Sequence, residues 1–313
     1  MEDFNQTMVK DFILLAFSSF PQLQALLFIV VLVMCMISIT GNLSIIILVK
    51  IEHSLHTPMY FFISVFAGLE ILFMSVTIPK LLANLVANYK HIAFIECFAQ
   101  LYAFNAFGVT ECCLLAVMAF DRDLAINNPL RYGAIMSHRL CLTLAVIPWV
   151  GGFIIGIIPI IFTADLDFCA SKEVNHFFCD LAALQNLSCS NPIISNVATS
   201  IITVFAGLAP FMLIIGLYIH IIITISKIKN VEGKKKAFST CSSHLIVASL
   251  FYGTVIIMYI RPSFSDYDKF IALIYTVLIP FLNPFIYTLR NKDVKEAFKK
   301  SIFSKCPTKH IHR

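Results

Sequence analysis

The chain has 313 residues, 59% of them hydrophobic and 13% charged, with a mean hydropathy of +0.86. So little charge cannot cover a soluble globule of this size, which excludes an ordinary water-soluble fold and places the chain in lipid. The net charge of +5 is concentrated at one membrane face, as shown below, and gives no support to nucleic-acid binding.

The opening, MEDFNQTMVKDF, is acidic and lacks the basic region and small-residue cleavage site of a secretory signal. The first apolar run is therefore expected to stay as a span, with residues 1–22 as an outer tail. Taking about 20 apolar residues per crossing, the runs at 23–49, 58–84, 97–126, 140–161, 193–226, 237–260 and 270–289 predict seven helical spans. They form one domain over 1–313, with a bundle at 23–289 and an inner tail at 290–313. The connections are short and neither repetitive nor Gly/Ser-rich.

With the N-terminus outside, only Lys10, Lys80, Lys90, Lys172, Arg261 and Lys269 of the 23 Lys and Arg fall on the outer side, which leaves 17 inside. That bias obeys the positive-inside rule and sets the basic face against anionic lipid. Asn5-Gln6-Thr7 is a glycosylation sequon on the outer tail, and Asn186-Leu187-Ser188 is another in the second outer loop. Asn42-Leu43-Ser44 also matches, but it lies inside the first span, out of reach. That outer loop, about 162–192, carries Cys169, Cys179 and Cys189, and Cys97 stands at the outer start of span three. Four thiols allow three pairings, and an outer setting favours disulfides. His176, three residues before Cys179, offers a metal reading, but an oxidising compartment consumes thiols before a metal can hold them. Beyond span seven, Val294, Ala297, Phe298 and Ile302 recur at helical spacing among lysines, which predicts a short amphipathic helix on the inner membrane surface. Cys306 in the tail is a candidate for lipidation.

Span three ends in MAFDRDLAINNPLRY, Met118 to Tyr132, where an apolar run gives way to Asp121, Arg122 and Asp123. An acid–base pair at the foot of a helix can serve as a lock, because a guanidinium can exchange one acceptor for another when neighbouring helices move. Its plainer role is a snorkelling anchor. Glu70 and Glu111 are acids inside spans, each costing about 2.5–3.5 kcal/mol at mid-membrane unless paired or protonated. Glu111 precedes Arg122 by eleven residues, about three turns, so both project from one face of span three, which reads as the central helix. In span seven, Asn283-Pro284 and Tyr287 combine a missing backbone donor with polar groups and predict a bend. No phosphate loop, HExxH or nucleophile triad supports catalysis, and no enzyme is expected.

LHTPMYFF (55–62), MAFDRDLAINNPLRY, KAFSTCSSHL (236–245) and PFLNPFIYTLRN (280–291) occur in one order along the chain. In these motifs it resembles the olfactory receptors, a branch of the rhodopsin-like G-protein-coupled receptors. The resemblance implies an all-α seven-helix membrane bundle at the plasma membrane, a small odorant ligand, and a stimulatory, olfactory-type heterotrimeric G protein that raises cyclic AMP. It implies disulfides Cys97–Cys179 and Cys169–Cys189, and a switch made of Asp121, Arg122, Tyr218, Asn283, Pro284 and Tyr287. It also implies that Glu70 and Glu111 face a small cavity, hydrated or occupied by a sodium ion. Without an ion, the two acids would be hydrogen-bonded to Asn42, Asn283 or Ser75. No other cofactor is expected.

The outer halves of spans three, five, six and seven offer Phe104, Asn105, Gly108, Val109, Ile202, Thr203, Ala206, Tyr252, Val255, Ile256, Tyr259 and Thr276 as ligand contacts, about half of which are expected to serve plain packing. Tyr252 and Tyr259 are the better anchors, since a buried hydroxyl needs a partner. The chain departs from the family pattern at Asp123, where Tyr is usual, and at Asn127, where Cys is usual. Asp123 is expected to hold Arg122 at rest or to weaken the G-protein contact. A transporter or channel would show matching halves or charged pore-lining residues, and the spans show neither. A chemosensor outside the nose, or a signalling-impaired member of the family, fits the same motifs.

Overall fold

The computed structural model describes residues 9–86, 90–169, 172–260, 266–290 and 294–298. Among them, seven long helices form a bundle. They are α1 (Pro21–Ile51), α2 (Pro58–Val86), α3 (Phe94–Asn127), α4 (His138–Ala164, in two segments that meet at Ile157), α5 (Ile193–Lys227), α6 (Val231–Ile260) and α7, built from Asp266–Leu273, Ile274–Leu278 and Ile279–Arg290. Six are long and apolar enough to cross a bilayer; α6 contributes a shorter apolar stretch, Cys241–Ile257, because its first turns are polar and basic. Every helix overruns its predicted span, α2, α5 and α6 at one end and the others at both.

Prolines set the starts and irregularities. Pro21 and Pro58 occupy first-turn positions, where a missing N–H costs nothing. α5 is π-helical over Thr203–Leu208, just before Pro210, and α7 over Ile274–Leu278, just before Pro280. In both, the ladder widens by one residue where the next turn holds a residue that cannot donate. Ser137 caps α4 by accepting from the Leu140 N–H at 3.4 Å.

α3 runs through the middle, with Leu114, Leu115 and Ala119 fully buried, while α1 and α5 turn rows of Ile, Leu and Val outward. α4 rides against α3 on Gly152 and Gly156, where added Cβ atoms would stand 2.5 Å from the Ala106 carbonyl oxygen and 2.8 Å from the Ala106 nitrogen. Gly41 meets Pro284 in the same manner, an added Cβ falling 2.9 Å from the proline Cβ.

The outer tail is partly ordered, which the helical pattern did not foresee. β1 (Asp11–Leu14) lies between β2 (His91–Ala93), antiparallel to it, and β3 (Glu173–Val174), parallel to it. Asp11 bonds His91 Nδ1 at 2.6 Å and Lys172 Nζ at 3.2 Å, and these two partners hold its carboxyl below the usual range. Asn186 is exposed on a short loop helix, Leu181–Leu187. Val294 and Ala297 pack beneath the bundle on helical backbone. Asn5, Ile302 and Cys306 lie outside the described residues.

Candidate functional site

The outer face is closed by the second outer loop. Cys97 is bonded to Cys179, tying the loop to the start of α3, and Cys169 to Cys189 within the loop, so Cys179 is not available to a metal. The Cys179 N–H donates to Gln100 Oε1 at 2.9 Å, and Gln100 Nε2 to the Val76 carbonyl at 2.8 Å, which joins loop, α3 and α2. Phe177 and Phe178 are fully buried below the loop, and Phe178 packs tilted against Phe104 with ring centroids 4.6 Å apart. His176 is buried beside them, and burial holds its pKa below the ordinary imidazole value; Asp180 raises it and Lys269 lowers it.

Beneath this lid, Phe104 also packs against Phe73 at 5.0 Å and Tyr275 at 6.1 Å, and Tyr275 Oη lies 3.7 Å from where a Cβ on Gly108 would stand. Val109 and Ala206 are buried; Asn105, Ile202, Thr203 and Val255 are half-buried; Ile256 is 39% exposed. Ile202 immediately precedes the π segment of α5, which holds Thr203 and Ala206, while Thr276 lies in that of α7. Such segments re-aim side chains and recur at functional sites. Two candidate contacts have protein partners already: Thr276 donates to the Ala272 carbonyl at 2.8 Å, and Tyr252 to the Cys112 carbonyl at 3.4 Å. Asn105 gives its amide to the Leu101 carbonyl at 2.9 Å, which leaves its oxygen for other donors. The Tyr259 side chain is outside those described.

Sequence reasoning missed Tyr275. It stands between the aromatic cluster and the acids, packing on Phe73, Phe104 and Phe251 and hydrogen-bonding Glu111. Its signal was available: a tyrosine in an apolar span eight residues before Asn283. Glu70 accepts from Asn283 Nδ2, and both glutamates are buried near one another. Asn42 donates to Ser38 at 3.3 Å and Ser75 to the Ile71 carbonyl at 2.7 Å, so of the three expected partners only Asn283 reaches an acid. Among the described residues, Asn283 Oδ1 and the Tyr287 hydroxyl are buried with no partner.

At the inner end, Arg122 is paired with Asp121, both buried. Tyr132 donates to the other Asp121 oxygen at 2.6 Å, and Arg122 Nη1 lies 2.7 Å from Met59 Sδ. Burial first, then Asp121, pushes the Tyr132 hydroxyl pKa up, which keeps it a donor. Tyr218 does not reach Arg122 here; its hydroxyl is 2.7 Å from His244 Nδ1 and 3.2 Å from the Cys241 carbonyl. Pro284 lies on Gly41, and Tyr287 packs edge-on to Phe66. Asp123 does not hold Arg122 as expected. Its carboxylate turns to α5 and meets His220 Nδ1 at 2.8 Å.

A seven-helix bundle with an arginine lock at one end and a disulfide-tied aromatic lid at the other defines a membrane receptor of the rhodopsin type. In fold it is similar to the crystal structure of squid rhodopsin, with a TM-score of 0.72 and 17% identity over 91% of this chain and 83% of that one. The olfactory receptor family model matches residues 31–305. Human olfactory receptor 11L1 is 45% identical over 98% of this chain and 96% of its own length, and human olfactory receptor 6C75 is 47% identical over 96% and 98%. The chain belongs to the olfactory receptor family. It is an odorant-sensing, multi-pass receptor of the plasma membrane, not an enzyme, and it works through a small-molecule ligand and a G protein.

Proposed function

We propose that the space among the outer halves of α3, α5, α6 and α7 takes small neutral, mostly apolar odorants, and that the inner face couples to a stimulatory, olfactory-type G protein to raise cyclic AMP. What supports this reading is the make-up of those outer halves: Phe104, Val109, Ala206, Val255 and Tyr275 are apolar or aromatic and buried or half-buried, Tyr275 Oη lies against Gly108, and Asn105 gives its amide to the Leu101 carbonyl. A charged ligand there would be desolvated without a counter-ion, whereas an apolar body gains about 25 cal/mol per Å² buried. Alcohols, esters, ketones and terpenoids fit, with sub-millimolar to micromolar affinity for so few contacts.

Glu70, Glu111, Asn283 Oδ1 and the Tyr287 hydroxyl suit a sodium ion, because two acids and two unpartnered buried oxygens converge on α7. Such an ion would screen the two carboxylates from one another. The basic inner face fits anionic lipid, and Asn5 is proposed as the glycosylated residue.

The test is a cyclic AMP readout in cells displaying the receptor, challenged with a broad odorant panel, with and without the stimulatory α subunit. Neutral agonists whose effect disappears with the subunit support the reading. A response to surface-displayed receptor that survives its removal refutes the coupling.

A further inference from the structure

Two residues that depart from the family pattern, Asp123 and Asn127, stand one turn apart on α3 and face His220 and Thr224, one turn apart on α5. His220 Nδ1 is 2.8 Å from Asp123 Oδ1, and Asn127 Nδ2 donates to the same oxygen at 2.6 Å while lying 3.1 Å from that ring nitrogen. The Thr224 hydroxyl donates to Asn127 Oδ1. The result is a two-rung ladder in which each of the four side chains has a partner on the opposite helix.

Apolar contacts tolerate sliding, but this ladder has one register. Moving α5 along α3 by one turn would separate all four groups, and unpaired polar groups near the membrane are costly. Tyr218 stands two residues before His220, and its hydroxyl is held on α6 by His244 Nδ1 at 2.7 Å and the Cys241 carbonyl at 3.2 Å. Arg122, next to Asp123, is meanwhile closed on Asp121. The ladder therefore exists together with the Asp121–Arg122 pair and with Tyr218 held on α6.

The geometry points to a second lock: Asp123 and Asn127, holding His220 and Thr224, keep α5 in register against α3 and oppose opening of the inner face to the G protein. These are positioning residues, acting through Tyr218 and Arg122. The inference rests on the coupling reading above only where cyclic AMP is the readout.

The experiment compares Asp123→Asn, His220→Gln and the exchanged pair Asp123→His with His220→Asp, at matched surface display. A luminescent donor on the C-terminus and an acceptor inserted after Asn230 read the position of the α5–α6 end without any G protein. Both single variants are expected to shift the transfer signal in one direction and to raise ligand-free cyclic AMP about two- to fivefold, since His220 is 58% exposed and its pair is screened. The exchanged pair is expected to return both signals toward wild type. A transfer shift without a cyclic AMP change upholds the lock and points the failure at the assigned G protein. Single variants with a wild-type transfer signal, an exchanged pair no better than the singles, or singles that lower ligand-free cyclic AMP would each overturn the proposal.

Discussion

Gly151 and Gly152 are adjacent in α4, yet replacing each by alanine should have opposite effects. Nothing lies within 4 Å of a Cβ added to Gly151, so Gly151→Ala gains helix propensity of up to about 1 kcal/mol. A Cβ on Gly152 would stand 2.1 Å from Thr110 Oγ1 and 2.5 Å from the Ala106 carbonyl oxygen. The threonine can be trimmed, but the carbonyl belongs to the α3 backbone and yields only if the helices part. Overpacking of this kind costs about 1–3 kcal/mol, which outweighs the propensity gain. Thr110→Ala should therefore rescue Gly152→Ala only in part. Gly156→Ala, whose Cβ would meet the Ala106 nitrogen at 2.8 Å and Cα at 2.9 Å, has no side chain to trim and no rescue. The assay is thermal inactivation of purified receptor in detergent, where each kcal/mol moves the midpoint by roughly 2–4 °C. Because α3 carries both Phe104 and Arg122, odorant potency should fall along with the midpoint. Equal midpoints for the two alanine variants, or full rescue by Thr110→Ala, would refute the argument that backbone contact seats α3 on α4.

Cys97→Ser and Cys179→Ser should keep the receptor inside the cell, since loss of a native bridge costs about 2–5 kcal/mol; normal surface display of both would contradict a structural bridge. His176 is held neutral by burial, so the unfolded chain takes up its proton as the pH falls through about 6.5 while the folded one resists. Stability from this group is present above that pH and lost below it, and His176→Phe should flatten the fall in inactivation temperature between pH 7.5 and 5.5. Tyr259→Phe should weaken an oxygenated agonist by about 0.5–1.5 kcal/mol, up to roughly tenfold in dose, while sparing a hydrocarbon analogue; an equal effect on both would remove the hydroxyl from the site.

The seven spans were legible because lipid imposes a run of apolar residues that few other demands mimic. Both disulfides were legible through motifs that carry their positions with them. What escaped depends on distance in sequence. Asp11, His91 and Lys172 meet only once the bundle has formed, and strands of two to four residues leave no period to read. The partner of Asp123 is 97 residues away, so the sequence pairs its charge with the adjacent Arg122, whereas the geometry gives it to His220. An aromatic in an apolar span is usually core, so Tyr275 shows its link between the aromatic cluster and the buried acids only through its bond to Glu111. The π segments were hidden because a widened turn follows from how a proline is accommodated, which composition does not specify.

Filling the proposed ligand space tests the account most directly. Ala206 is buried in the π segment of α5, whereas Leu213 on the same helix is 54% exposed toward lipid. With the best neutral agonist from the panel, Ala206→Phe should abolish or reduce the cyclic AMP response by tenfold or more in dose, about 1.4 kcal/mol, and Leu213→Phe should leave it intact at equal surface display. An unchanged response in Ala206→Phe, or best agonists that prove to be charged amines or acids, would contradict the claim that neutral odorants are read in that space.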